Sequence, residues 1–206
     1  MKPELILIGG GGHCKSCIDV IEVEGKYTIL GIVDLPKKRR EKILGYEIIA
    51  SDQDLPELVK KCSNFLITVG QIKTPKARIQ LFEKIKQLGG ILATIVSPLA
   101  HVSRHARLGE GTIILHGAIV NASAHIGNNC IINTKALIEH DVVIGDRCHI
   151  STASVVNGNT VVEKGTFLGS NSVTRESIKI GENSFIGSGI RITQSLSKQT
   201  IQKNNV

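Results

Sequence analysis

The 206-residue sequence predicts an α/β domain with a small parallel sheet over residues 1–95, then an all-β parallel β-helix over 96–192 and a tail at 193–206. Three observations predict it. In the first half, short apolar runs alternate with segments of helical periodicity, the pattern of βαβ units. From Val102 onward an aliphatic residue recurs at every sixth position, and a fixed short period of this kind marks a β-helix. Hydrophobic residues make up 41% of the chain but aromatics only 3%, with no Trp. Small and β-branched side chains must therefore fill the core, as in a tightly wound, repetitive fold.

In the α/β half, Leu5–Gly9 is an apolar run stopped by glycines, as a buried parallel strand stops before a turn. Lys15 to Glu24 carries Cys17, Ile18 and Ile21 at helical spacing. A second strand follows at Tyr27–Val33 and ends at Asp34, a third strand lies at Phe65–Val69, and Pro75–Leu88 reads as a helix ended by Gly89 and Gly90.

In the second half the six-residue step runs from Val102 to Ile192, and only Thr174 interrupts its aliphatic character. Four residues after most of these sits a small residue, such as Ala118, Ala124, Cys130, Ala136 or Cys148. Each hexad then supplies one flat face with its aliphatic residue inward and its small residue at the corner. Three faces close a triangular coil of eighteen residues, giving about five coils. The interior of such a prism is too narrow for rings.

The net charge of +7 is spread along the chain and suits a phosphate-bearing small molecule. The few aromatics are scattered and offer no stacking platform, which argues against nucleic acid. Lys37-Lys38-Arg39-Arg40 reads as a solvated loop. Five cysteines cannot complete a disulfide framework. Cys14 and Cys17 lack the second ligand pair that zinc would need, so both read as structural. No apolar run reaches the ~20 residues of a membrane span, so the expectation is a reduced, cytoplasmic protein without membrane insertion.

The histidines exclude a metal column within one chain. His101 and His105 read as surface residues. His116, His125, His140 and His149 are separated by 9, 15, 24 or 33 residues, none a multiple of the eighteen that stacks side chains on successive coils. His140 differs from the others in having small column neighbours, Ala122 and Gly158, which leave room beside its ring. Imidazole titrates near ~6.5 and can take and return a proton at neutral pH.

Gly9-Gly-Gly-Gly-His-Cys-Lys15 joins the first strand to the first helix, where phosphate can approach the backbone amides. It is neither a dinucleotide fingerprint nor a P-loop, because Cys14 and Lys15 stand where the last glycine would be and no Gly-Lys-Ser/Thr follows. Asp34 ends the second strand, where a Rossmann-like domain places a carboxylate against nucleotide hydroxyls or base edges.

The hexads resemble the hexapeptide-repeat acyltransferases, whose left-handed β-helices assemble as trimers. LILIGGGGHCK, GIVD and INTKALIEHDVVIGDRCHIS together resemble the sugar acetyltransferases of the sialic acid and bacillosamine pathways, over nearly the whole chain. The resemblance implies a left-handed helix, a homotrimer, acetyl-CoA as co-substrate and no metal. It implies that the turn with Gly11, Gly12, His13 and Lys15, together with Asp34, binds a nucleotide-sugar. His140 becomes the general base, with Asp141 raising its basicity and Asn133 at the cleft. His149, Gly158, Ser170 and Ser188 fall along acetyl-CoA. Three features depart from the family pattern: Lys135 where a small residue is expected, the polar loop Val155–Asn159, and a tail lacking the usual segment that helps cover CoA.

The expected reaction is acetyl transfer to the amine of a UDP-4-amino sugar for bacterial surface glycans, without an acyl-enzyme. Alternatives are O-acetylation of sialic acid or a relative, and a non-catalytic β-helix trimer used for binding.

Overall fold

The computed structural model describes residues 1–203; the last three residues of the predicted tail lie outside the described residues. The first half holds β1 (Glu4–Ile8), α1 (Gly12–Glu24), β2 (Thr28–Val33), β3 (Lys42–Ile43), β4 (Tyr46–Ala50), α2 (Leu55–Lys61), β5 (Asn64–Ile67), α3 (Lys76–Gln87) and β6 (Ile91–Leu92). The sheet order is β3-β4-β2-β1-β5-β6, parallel except for the β3–β4 hairpin. Its central strand β1 is buried along Leu5–Ile8, with α1 on one side and α3 on the other.

The expected elements are present with shifted ends. The first helix begins at Gly12, inside the glycine run, rather than at Lys15, because the opening turn of a helix needs backbone but few side chains. The segment between Asp34 and Asn64 gave no prediction and contains β3, β4 and α2.

From Ile95 the chain winds into a left-handed parallel β-helix with three flat faces. Face one stacks the two-residue strands at 95, 113, 131, 149, 167, 185 and 201; face two those at 101, 119, 137, 155, 173 and 191; face three those at 107, 125, 143, 161 and 179. Residues pair with those eighteen ahead, as Ile113 with Ile131 and Ile131 with His149. The aliphatic column, Val120 through Ile192, fills the interior and is essentially inaccessible to water. At about 1.5–3 kcal/mol for each fully buried aliphatic side chain, this column is the main stabilising feature of the half.

Every sixth residue from Gly111 to Gly189 has a positive φ between 54° and 72°. These are the corner positions, held by Gly, Asn, Ser, Asp, Ala, Arg and Lys alike, since their side chains leave the prism. Lys135 is one of them, with φ 59°. It is therefore no departure from the repeat: the small-residue position is Ala136, fully buried next to it. The segment after residue 192 continues the coil, with Ile201 beside Phe185 and Leu196 bridging Ile180, sixteen residues apart instead of eighteen.

The α/β domain covers the upper part of face one. Ile95, Ile113 and Leu115 join Cys14, Cys17, Ile18 and Ile21 of α1 in one apolar cluster. Asp19 pairs with His116 at 2.8 Å, and the His116 Nδ1 meets Ser97 Oγ at 2.5 Å.

Candidate active site

Between β1 and α1 the chain makes a tight turn that Asp34 holds in place. Asp34 Oδ2 accepts from the Gly10 N–H at 2.7 Å and from Lys38 Nζ at 3.2 Å, and Oδ1 accepts from the Leu35 N–H at 2.6 Å. Burial alone would raise its pKa, but these donors hold the carboxyl below its usual range. The approach requires glycine, because a Cβ at Gly10 would lie 2.7 Å from Asp34 Oδ2. No side chain caps α1, so its amide-bearing end is left to an outside acceptor. That end opens on a cavity of about 480 Å³ lined by Gly9–Gly12, His13, Asp34, Thr68–Gly70 and Ile72. A second cavity of about 460 Å³ adjoins it through Gly9, Asp34 and Val69, at the carboxyl ends of β1 and β2. Lys15 is exposed on α1 and is not among the lining residues.

His13 faces inward, with Nε2 3.6 Å from Cys17 Sγ. Burial first, then the charge of Arg78, pushes its pKa down to about 3. Arg78 is itself buried, donating to the carbonyls of Ile67 and Val69 at 2.7 and 2.8 Å and to Asn129 Oδ1 at 2.5 Å. It joins the α/β domain to the β-helix.

The β-helix residues fall on two different edges. The first edge, between faces one and two, carries Asn133, Ser151, Ser170 and Ser188. His149, in the face-one strand His149–Ile150, is buried and its ring reaches this edge. Its Nδ1 meets the Gln71 carbonyl at 2.5 Å and its Nε2 meets Asn133 Nδ2 at 3.1 Å. A carbonyl can only accept, so Nδ1 carries the proton and Nε2 accepts from Asn133. Burial holds the ring's pKa at about 4, so it is neutral at pH 7. Asn133 Oδ1 accepts from the Thr134 N–H at 2.7 Å, which fixes the amide's orientation. Ser170 Oγ lies 3.1 Å from Ser151 Oγ, and Ser188 is exposed one coil below.

The second edge, between faces two and three, carries His140, Asp141 and Gly158. Sequence neighbours on a flat strand point apart, but Asp141 sits at a corner with φ 60°, and its Oδ2 meets His140 Nδ1 at 2.8 Å. Nδ1 donates to the carboxylate, which leaves the Nε2 lone pair as the remaining acceptor of a ring 66% exposed. Gly158 serves this ring directly: a Cβ there would lie 2.8 Å from His140 Cε1. The space noted beside His140 in the sequence is thus partly taken by the ring itself.

Within one chain, all of face two separates His140 from the glycine turn and Asn133. Sequence reasoning missed Gln71, Arg78 and Asn129, which hold the two halves together. A buried Arg without a carboxylate partner has no sequence signature. Among the described residues no group of three or more His, Cys, Asp or Glu is placed to hold a metal, and all five cysteines are buried free thiols.

With this geometry in hand, comparison with known proteins is specific. The PglD N-terminal domain model matches residues 4–85. The six-repeat bacterial transferase hexapeptide model matches 123–158, and the hexapeptide repeat of succinyl-transferase matches 159–194. PerB from Caulobacter crescentus, solved with CoA and GDP-perosamine, superposes with a TM-score of 0.90 at 31% identity, covering 96% of this chain and 92% of that one. This chain belongs to the hexapeptide-repeat sugar acetyltransferases. It is an enzyme of that class, with acetyl-CoA as co-substrate. The acetyltransferase domain of PglB from Neisseria gonorrhoeae, solved with acetyl coenzyme A, gives a TM-score of 0.88 at 26% identity over 98% of this chain and 96% of its own. WeeI from Acinetobacter baumannii AYE shares the fold, at 18% identity over 97% of this chain and 96% of its own, with a TM-score of 0.86. No curated protein matched the sequence. Among the described residues no helix is long and apolar enough to cross a membrane.

Proposed function

We propose that this acetyltransferase acts on the amine of a nucleotide-linked 4-amino sugar destined for a bacterial surface glycan, with His140 as general base. The observation that carries the reading is the His140–Asp141 pair, an exposed imidazole whose Nδ1–H is oriented by a carboxylate and whose Nε2 lone pair remains to accept a proton. The amine nitrogen attacks the thioester carbon, forming the C–N bond, while Nε2 takes the amine proton. Collapse of the tetrahedral adduct breaks the C–S bond, and the imidazolium returns the proton to the departing thiolate. Asp141 stabilises the imidazolium in between. UDP is the carrier favoured by the sequence resemblance; GDP is the carrier in the Caulobacter complex. The diphosphate and sugar occupy the cavity at the α1 terminus, and the base and ribose the adjoining one.

The two edges give the quaternary structure its role. Face two carries an outward apolar stripe, Ile119, Leu137, Val155 and Val173, each partly exposed. A homotrimer that packs face two about a three-fold axis buries this stripe. It also sets the second edge of one chain, with His140, against the first edge of the next, with Asn133, Ser170 and Ser188, where acetyl-CoA lies. His149, with both ring nitrogens engaged inside the protein, supports acetyl-CoA through Asn133, and Gly158 through the His140 ring.

Acetyl-CoA with a panel of UDP- and GDP-linked 4-amino sugars, their 4-hydroxy counterparts and free sialic acid tests the reading by CoA thiol release. Release with an amino sugar alone supports it. Release only with a hydroxyl acceptor establishes the O-acetyltransferase alternative, and no release with any acceptor favours a binding role.

A further inference from the structure

Residues 68–72 follow β5 and touch both ligand regions at once. On one side, Thr68 Oγ1 donates to the Gly9 carbonyl at 2.6 Å, and Val69, Gly70 and Ile72 form a wall of the cavity at the α1 terminus. On the other side, Gln71 turns into the protein and is 2% exposed. Its amide Nε2 donates to the Arg147 carbonyl at 2.8 Å, and its backbone carbonyl accepts from His149 Nδ1. Gln71 Oε1, buried, has no hydrogen-bond partner among the described residues. A buried acceptor left unmet costs free energy, and among the described residues the Gln71 side chain is held through its Nε2 alone.

We propose that Thr68–Ile72 is a coupling element through which occupancy of the nucleotide-sugar cavity tightens acetyl-CoA binding at Asn133. The proposal rests on the cavity assignment made above. The chain of contacts is continuous. A ligand on Val69, Gly70 and Ile72 fixes the loop, and the Gln71 carbonyl fixes the tautomer and tilt of His149. His149 Nε2 then fixes one N–H of Asn133, whose Oδ1 is already held by Thr134. The remaining Asn133 N–H points from the first edge with a single orientation. Ordering this chain once serves both ligands, so whichever binds first spares the second that cost.

The test is titration calorimetry on the full-length protein, with CoA as a non-reacting probe, with and without saturating GDP or UDP. The expected result is a CoA Kd at least about fivefold lower with the nucleotide that binds, and the same factor in the reverse titration. Q71A and Q71L keep the backbone carbonyl but lose the side-chain tie to Arg147, so each should reduce the coupling factor to within about twofold of unity. As a readout independent of those variants, the ring ¹⁵N shifts of His149 in the wild-type protein should move when nucleotide is added. Nucleotide binding with no change in CoA affinity, unmoved His149 shifts, or coupling that survives in folded Q71L would each overturn the inference. If neither GDP nor UDP binds, the cavity assignment itself fails and the inference falls with it.

Discussion

Gly158→Ala perturbs the proposed base without removing it. Gly158 does not need a positive φ, so alanine imposes no backbone strain, but its Cβ would lie 2.8 Å from His140 Cε1 and 2.9 Å from Nε2. Ordinary carbon contacts begin near 3.5 Å, so the ring must retreat by roughly 0.7–1 Å. The ring is exposed and can move cheaply, so the melting temperature should stay within about 2 °C of wild type, which corresponds to less than about 1 kcal/mol. Catalysis is less forgiving, since a misplacement of about 1 Å costs on the order of 10²-fold. Steady-state kinetics should show kcat falling about 10–100-fold with KM for acetyl-CoA little changed. A folded variant with wild-type kcat would refute the pose of His140 on which the mechanism depends.

His140→Ala should lower kcat by about 10²–10⁴-fold with near-normal acetyl-CoA binding, the loss shrinking at high pH where the amine is already deprotonated; Asp141→Asn should lower it less. Equal losses in the two variants would mean that Asp141 does more than orient the ring. Asp34→Ala removes the acceptor for two backbone N–H groups and Lys38, so KM for the nucleotide-sugar should rise more than kcat falls; an unchanged KM in acceptor titrations contradicts the cavity assignment. Stability should fall below neutrality, because the folded pKa of His149 is about 4 against an ordinary 6.5. The unfolded chain therefore takes up the proton first. Its contribution, up to about 3 kcal/mol, is complete above pH ~6.5 and lost on the way to 4, with His13 acting in the same direction. Urea midpoints at pH 7.5, 6 and 5 should decline in that order, and a rise would invert the argument.

The β-helix was legible because its constraint is local and repeated. An interior that admits one aliphatic residue per face leaves its mark every six residues, and the corner geometry explains even Lys135. His140 was legible through its small column neighbours, Ala122 and Gly158, since eighteen-residue stacking turns sequence distance into contact. The β3–β4 hairpin was missed because Lys42–Ile43 and Tyr46–Ala50 are short and carry polar residues among the apolar ones. The commitment of both His149 nitrogens depends on Gln71, a contact across 78 residues that no periodicity records. Arg78 reads in sequence as one more basic residue on a helix, yet it is the buried tie between the halves.

That one active site draws on two chains is tested most directly by mixing subunits. His140→Ala disables the second edge and Asp34→Ala the nucleotide-sugar pocket. Each variant alone should be nearly inactive at acceptor concentrations far below the raised KM. In a cyclic trimer every mixed ring has one junction where an intact pocket meets an intact His140, so random mixing restores about a quarter of wild-type sites. The account predicts that unfolding and refolding the two variants together recovers activity on that order, well above the mean of the two parents. Activity no higher than that mean, with mixed trimers demonstrated by mass, would place His140 and the pocket in separate sites and contradict the account.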